Sequence, residues 1–187
     1  MQNISVIDHF IPPATRTLPK SFFISIIAAF VVAAFAQVSI PMIPVPMTLQ
    51  PFAMIMVGLL FPWRLAVGTV IAYISMSAMG LPVLAGFNGG VAPLMGPTAG
   101  YIFGYIPTVF VISFLNTIGA QHLLITRFLS IFAGYAVLFT FGVTALSQFV
   151  GFDTALQTGL YPFILGDFVK AGIAALLAGV LRKKIAS

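Results

Sequence analysis

Long apolar segments alternate along the chain with short segments that contain most of its charged residues. A helix needs about 20 mostly apolar residues to cross a bilayer, and the apolar segments approach or reach this length. The pattern predicts six helices, at about residues 20–39, 48–60, 65–79, 98–118, 128–150 and 161–181. Residues 1–18, which include Pro12 and Pro13, form a predicted lead-in. No linker or clear internal repeat divides the chain, so residues 1–187 are predicted to form one membrane domain.

Two segments between predicted helices are rich in proline or glycine. Residues 40–46 contain three prolines, which lack backbone donors and favour extended geometry in the preceding residue. A stiff outer loop is therefore expected there. Residues 80–97 contain five glycines and three prolines, and glycine lets backbone N–H groups approach a ligand closely. This segment is either part of a binding site or a plain re-entrant turn, since irregular backbone at membrane depth must be buried or face water.

The composition excludes a soluble domain. Of the 187 residues, 60% are hydrophobic and 6% are charged, whereas soluble domains have roughly 25% charged residues. Lys170 aside, the basic residues form four clusters separated by 43, 62 and 54 residues: Arg16 with Lys20, Arg64, Arg127, and Arg182 with Lys183 and Lys184. Each interval allows two crossings, so the clusters share one face, which the positive-inside rule makes cytoplasmic. We predict an all-α integral membrane protein with six transmembrane helices and both termini in the cytoplasm.

Several other classes of function are excluded by what the sequence contains. The basic clusters on the predicted cytoplasmic face account for the net charge of +5, so this charge does not indicate a nucleic-acid partner. Cysteine is absent, and His9 and His122 have no third ligand in a suitable pattern, so no metal site is predicted. No catalytic triad, carboxylate pair or phosphate-binding Gly-Lys-Ser/Thr motif is present. We predict that the chain is not an enzyme and does not hydrolyse ATP.

The strongest indication of function is a charged pair, Asp167 and Lys170, inside the apolar segment 161–181. A charge in hydrocarbon costs roughly 2.5–3.5 kcal/mol on insertion scales, and such residues usually line a binding cavity or substrate path. At i and i+3 the two side chains share one helix face. The pair is either a structural ion pair or a ligand site, in which Asp accepts and Lys donates hydrogen bonds. Asn88 in the glycine-rich segment offers both a donor and an acceptor.

A second pattern lies in the first predicted helix. Ala29 and Ala33 form a small-x-x-x-small step, extended by Ser25, which lets another helix approach closely. The approaching helix belongs either to the same chain or to a partner subunit.

Four segments resemble the BioY family, the biotin-specific substrate-binding components of energy-coupling factor (ECF) transporters. They are residues 37–50 (Q-x-x-I-P-x-x-P-V-P-x-T-L-Q), 80–90 (G-L-P-V-L-A-G-x-x-G-G), 96–101 (G-P-T-A-G-Y) and 162–170 (P-F-x-x-G-D-x-x-K). The resemblance covers nearly the whole chain in the same order. Family members often carry Gly or Arg at the position of Asn88, and Gly at that of Phe87.

The resemblance implies a six-helix S-component bundle in a prokaryotic cytoplasmic membrane, with biotin as ligand, no cofactor, and a transmembrane coupling subunit and ATP-binding subunits as partners. Asp167, Lys170 and Asn88 would contact biotin, and the proline-rich loop would act as a lid. Ala29 and Ala33 would face the coupling subunit. Further residues would support the ligand: Gly86, Phe87, Gly89, Tyr101, Thr48, Gln50 and Val45.

The chemistry of biotin fits these residues. Its ureido ring has two N–H donors and one carbonyl acceptor, which complement Asp167 and Lys170, while its thiophane ring and valeryl chain need an apolar trough. The candidate hydrogen-bond donors for the valeryl carboxylate are the backbone of the glycine-rich segment, Thr48, Gln50 and Asn88. The alternatives are an S component for another small vitamin, a self-sufficient ion-coupled secondary transporter, and a membrane scaffold without ligand.

Overall fold

The protein is a bundle of α-helices with one short β-hairpin; the computed structural model describes residues 18–119 and 123–186. Over these residues the elements are α1 (Leu18–Gln37), β1 (Ser39–Ile40), β2 (Met47–Thr48), α2 (Gln50–Leu60), α3 (Trp63–Ala78), a 3-10 turn (Ala85–Phe87), α4 (Ala92–Met95), α5 (Ala99–Ile118), α6 (Leu124–Val150), α7 (Phe152–Gly159) and α8 (Tyr161–Ala186). The two strands pair antiparallel, with Ser39 opposite Thr48.

Each predicted helix overlaps a helix of the structure: α1, α2, α3, α5, α6 and α8. The elements that the hydropathy pattern missed are the short ones, namely the hairpin, α4 and α7. Of the lead-in predicted at residues 1–18, residues 1–17 lie outside the described residues, and Leu18 is the first residue of α1. Arg127, which directly precedes the helix predicted at residues 128–150, lies in the first turn of α6. It is buried, and its Nη1 donates to the Ala175 carbonyl of α8 at 3.1 Å.

Four stretches among the described residues are long and apolar enough to cross a membrane: Pro19–Gln37, Ala99–Ile118, Leu124–Val150 and Phe152–Leu181. The last of these combines α7 and α8. In contrast, α2 is apolar but has 11 residues, which extend about 16 Å at 1.5 Å per residue, against a hydrocarbon core of about 30 Å. Length and composition therefore support four crossings, and the predicted crossings by α2 and α3 rest on other arguments.

The C-terminal end of α2 is held by side chains of α5. A helix leaves its last carbonyl groups without partners within the helix, which is costly where water is excluded. Ser113 Oγ donates to the Phe61 carbonyl at 2.7 Å, and Asn116 Nδ2 donates to the Leu59 carbonyl at 3.1 Å. Both side chains are buried. These bonds let a short helix end inside the bundle.

Helices α5 and α6 pack closely because both present glycine at their contact. Gly100 and Gly104 of α5 lie against α6, where a β-carbon on Gly100 would collide with Ala145 and the Phe141 carbonyl. In return, Gly142 of α6 lies against the ring of Tyr101. This contact fixes the ring of Tyr101, which lines the cavity described below.

Gly142→Ala is expected to lower the free energy of unfolding by about 2 kcal/mol, as for other overpacked cores, because the added methyl group would overlap the Tyr101 ring. The measurement is thermal unfolding in detergent. The control is Gly172→Ala in α8, where an added β-carbon meets no atom within 4 Å and alanine favours the helix. Equal stability of the two variants would contradict the tight contact at Gly142.

Candidate binding site

A cavity of about 270 Å³ lies between the hairpin and the helices α5, α6 and α8. Its lining comes from five parts of the chain. The hairpin and the start of α2 contribute residues from Pro44 to Pro51, and the glycine-rich segment contributes residues from Leu84 to Thr98. The helices contribute Tyr101, Ile102, Tyr105, Leu138, Phe139, Phe163 and Asp167. The segments that the sequence singled out separately, far apart along the chain, therefore meet around one space.

Asp167 and Lys170 lie on the buried face of α8. That face consists of residues spaced three or four apart, which include Phe163, Asp167, Lys170 and Ala174, while apolar residues such as Phe168 face outward. Asp167 is 3% exposed and Lys170 is 9% exposed. Lys170 Nζ donates to Asp167 Oδ1 at 2.8 Å. Asp167 lines the cavity, so its carboxylate combines a fixed cation partner with access to a ligand.

Lys170 also joins α8 to the hairpin. Its Nζ donates to the backbone carbonyl of Thr48, in β2, at 2.9 Å. Thr48 Oγ1 in turn accepts a hydrogen bond from the backbone N–H of Gln50 at 3.2 Å. Lys170 is not among the residues that line the cavity. An ammonium group has three donors, and two of them are used by Asp167 and Thr48.

Gln50 contributes an unpaired donor to the cavity wall. Its side chain is buried and lines the cavity, but Nε2 has no hydrogen-bond partner among the described residues. An unpaired buried donor costs roughly 1–3 kcal/mol. A ligand acceptor or a water molecule at Nε2 would remove this cost, so Gln50 is a functional candidate on structural grounds as well as by resemblance.

Asn88 lies at the mouth of the cavity, where it is exposed but contributes to the lining. Its Nδ2 donates to the Ala85 carbonyl at 2.8 Å. Its backbone carbonyl accepts from the Leu84 N–H at 2.9 Å, and the two residues form an isolated antiparallel bridge. The segment 84–88 is therefore a small closed loop with the Asn88 amide held against it.

The rest of the cavity wall is apolar and aromatic. Val45 and Leu84 are buried in it. The hydroxyl of Tyr101 donates to the Gly159 carbonyl at 2.7 Å, which leaves the ring as the surface offered to a ligand. Phe139 of α6 lies edge-on to Tyr101, with 6.5 Å between ring centroids. The wall suits a flat or chain-like apolar group.

Several residues of the cavity lining were not predicted from the sequence. Phe163 precedes Asp167 by four residues and Tyr105 follows Tyr101 by four, so helical spacing placed both on the faces that were already singled out. Leu138 and Phe139 had no comparable signal, because nothing in the sequence indicates which face of α6 approaches α8.

Three of the predicted supporting residues do not line the cavity: Gly86, Phe87 and Gly89. Phe87 is 70% exposed, with a φ of 57° in the left-handed region. Gly86 has a φ of 69°, and a β-carbon on Gly89 would collide with the Leu81 carbonyl. The two glycines therefore shape the loop, and Phe87, which was expected to support the ligand, lies outside the cavity lining in this conformation.

Ala29 and Ala33 are buried inside the chain, at 0% and 8% exposure, so of the two alternatives the structure favours packing within the bundle. Both alanines belong to the main hydrophobic core. The expectation that they face a coupling subunit is corrected, because their methyl groups are already covered by the chain itself.

No group of three or more His, Cys, Asp or Glu side chains that could hold a metal ion occurs among the residues that the structure describes. His9 and His122 lie outside those residues.

Comparisons with known proteins agree with the resemblance. The sequence profile of the BioY family matches residues 11–187. The probable biotin transporter BioY of Pyrococcus horikoshii is 37% identical over 131 residues, which cover 70% of this chain and 76% of that protein. The biotin transporter BioY of Thermotoga maritima is 36% identical over 137 residues, with coverage of 73% and 80%.

A solved structure extends the similarity to the fold. It is the crystal structure of the S-component for biotin from an ECF-type ABC transporter, which superposes with a TM-score of 0.77 at 27% identity. The superposition covers 90% of this chain and 95% of the other. Because the family profile matches almost the whole length of the chain and two relatives exceed 30% identity over more than two thirds of it, the chain belongs to the BioY family.

Proposed function

We propose that the chain captures biotin for uptake across the membrane, as the substrate-binding component of an ECF-type transporter. The observation that carries this proposal is Asp167, a buried carboxylate paired with Lys170 and exposed to a cavity in a BioY-family chain. The cavity volume of about 270 Å³ lies just below the range of about 300–1,000 Å³ for ligand pockets, so the ligand is expected to be a small molecule such as a vitamin. The relatives are named as transporters, in agreement with the prediction that the chain is not an enzyme.

In this proposal the ureido ring of biotin binds at the charged pair. Asp167 accepts hydrogen bonds from ureido N–H groups. Lys170 has one donor left besides those on Asp167 and Thr48. Since Lys170 does not line the cavity in the structure, this donor reaches the ureido carbonyl when the ammonium group turns toward the ligand. Asn88, at the cavity mouth, supplies a further donor or acceptor. Hydrogen bonds to charged groups are worth roughly 1.5–3 kcal/mol each, so this pair would dominate recognition.

The apolar parts of biotin lie against Val45, Tyr101 and the aromatic residues of α6 and α8. Gln50 Nε2, which has no partner among the described residues, donates to an acceptor on the ligand. The hairpin, joined to Lys170 at Thr48, covers the cavity as a lid. Gly86, Phe87 and Gly89 support the ligand indirectly, by holding the loop that carries Asn88.

The chain is a multi-pass membrane protein, and we propose six crossings with both termini in the cytoplasm of a prokaryote. The spacing of the basic clusters supports this topology, with α2 and α3 as short crossings and the C-terminal end of α2 held by Ser113 and Asn116 of α5. We propose that residues 1–187 form one membrane domain. Since the chain contains no phosphate-binding motif, a transmembrane coupling subunit and ATP-binding subunits supply the energy.

The topology predicts where single cysteines react. Arg64→Cys and Lys183→Cys should be labelled by a membrane-impermeant thiol reagent only after cells are opened, and Asp153→Cys should be labelled in intact cells. All three side chains are exposed in the structure, and the chain has no cysteine of its own. Arg127 is unsuitable because it is buried. Labelling of Arg64→Cys from outside would overturn the six-crossing topology.

Calorimetry on the purified chain in detergent tests the ligand assignment. Biotin should bind; desthiobiotin, which keeps the ureido ring, should bind more weakly; thiamine and riboflavin should not bind. Binding of thiamine or riboflavin instead would identify an S component for another vitamin. Uptake by the chain alone in vesicles, driven by a proton or sodium gradient, would identify a secondary transporter.

A further inference from the structure

We propose that Gln37 is a positioning residue for the binding site: it holds the loop 84–88, and thereby Asn88, at the mouth of the cavity. The inference rests on the proposed function, in which Asn88 contacts biotin. Gln37 is the last residue of α1 and is separated by about 50 residues from the loop that it contacts. It does not line the cavity itself.

Both ends of the Gln37 amide bond the loop backbone. Nε2 donates to the Leu84 carbonyl at 3.0 Å, and Oε1 accepts from the Phe87 N–H at 2.9 Å. Nε2 also donates to the Ala33 carbonyl of its own helix at 3.1 Å. The third bond orients the amide, so that the other two connect the end of α1 to the loop.

The two loop residues that Gln37 bonds, Leu84 and Phe87, are the first and last residues of the turn 84–87. Within that turn Gly86 and Phe87 both have positive φ, at 69° and 57°. A bulky residue such as phenylalanine rarely adopts a positive φ, and such backbone persists only where its surroundings hold it. Gln37 bonds the N–H of this strained residue directly, which identifies it as part of what holds the turn.

Other hydrogen bonds connect the residues before and after the turn to α3, whereas Gln37 bonds the turn itself. The hydroxyl of Tyr73 donates to the Val83 carbonyl at 2.9 Å, before the turn. The Gly90 N–H donates to the Ser77 carbonyl at 2.7 Å, after it. Asn88 lies between these anchors, and its bonds to Leu84 and Ala85 stay within the loop. Leu84 is also packed in the core, but among the hydrogen bonds given above only those of Gln37 connect the turn to the bundle. The position of Asn88 relative to the bundle therefore depends on Gln37 together with the packing of Leu84.

A double-mutant cycle on biotin affinity, measured by calorimetry, tests the inference. Gln37→Met keeps the length of the side chain and removes every hydrogen bond. We expect it to weaken binding about tenfold, the equivalent of one hydrogen bond lost at Asn88, and to have no further effect in an Asn88→Ala background. In an Asp167→Asn background the same tenfold loss should reappear. The control, Gln148→Met at an exposed position of α6, should bind as the unmodified chain does.

The inference would be overturned if Gln37→Met bound biotin with the affinity of the unmodified chain. It would also be overturned if Gln37→Met lowered biotin affinity equally with and without Asn88→Ala, because that would indicate a general loosening of the cavity. Hydrogen exchange of the segment 84–90 gives a measurement that needs no ligand. Exchange there should be faster in Gln37→Met than in the unmodified chain and in Gln148→Met. Unchanged exchange would reject the role of Gln37 even if biotin binds. If the unmodified chain does not bind biotin but exchange is faster in Gln37→Met, only the ligand assignment is rejected.

Discussion

Asp167→Asn is expected to weaken biotin binding by about 1.5–3 kcal/mol, the typical value of a hydrogen bond to a charged group, or roughly 10- to 150-fold in Kd. Asp167 is the one carboxylate among the residues that line the cavity. The asparagine amide keeps the volume of the side chain but replaces one acceptor with a donor, which would face a ureido N–H group. Calorimetry in detergent measures the change.

The matched control is Asp153→Asn, which removes an exposed carboxylate in α7 and should leave biotin affinity unchanged. A monodisperse Asp167→Asn sample with unmodified affinity would rule out Asp167 as a ligand contact. Loss of affinity in both variants would indicate an effect of net charge on the protein rather than a contact.

The helices and the charged pair were predictable because their signals are local. Apolar segments define helices by length and composition, and the spacing of Asp167 and Lys170 defines a shared face. The partners of that face were not predictable. The bond from Lys170 to the Thr48 carbonyl joins residues 122 positions apart, and no local pattern specifies a backbone carbonyl as an acceptor.

The small-residue step in α1 predicts close packing but not the helix that packs against it. Ala29 and Ala33 correctly indicate close helix packing, since both are buried, but small residues carry no information about which helix approaches. A face that packs within the chain and one that packs against a partner have the same composition in a membrane. The assignment to a partner therefore came from the resemblance, and the burial of both methyl groups contradicts it.

The short elements were missed for a further reason. α4 and α7 have four and eight residues, too few for a hydropathy period to be distinguished from a polar or proline-containing turn. Phe87 was expected to support the ligand, as the resemblance implies. Its positive φ turns it out to 70% exposure, and a side chain direction of this kind depends on backbone geometry that composition does not reveal.

Lys170→Met is expected to lower the free energy of unfolding by about 3–5 kcal/mol, because it would leave the Asp167 carboxylate buried without its cation. Lys170 Nζ is the hydrogen-bond partner of Asp167 Oδ1 at 2.8 Å, and both side chains are buried. Thermal unfolding in one detergent compares the variants. Lys183→Met, at an exposed position of α8, is the control and should unfold at the temperature of the unmodified chain.

The double variant Asp167→Asn/Lys170→Met separates the structural role of Lys170 from its role in binding. Most of the lost stability should return, since neither charge remains in the bundle. Biotin binding should nevertheless be weaker than in Asp167→Asn alone by about 1.5 kcal/mol or more, because the methionine offers no donor to the ureido carbonyl and none to the Thr48 carbonyl at the base of the hairpin. If the double variant is folded and binds as well as Asp167→Asn, Lys170 has only a structural role, and recognition of the ureido ring falls to Asp167 and Asn88.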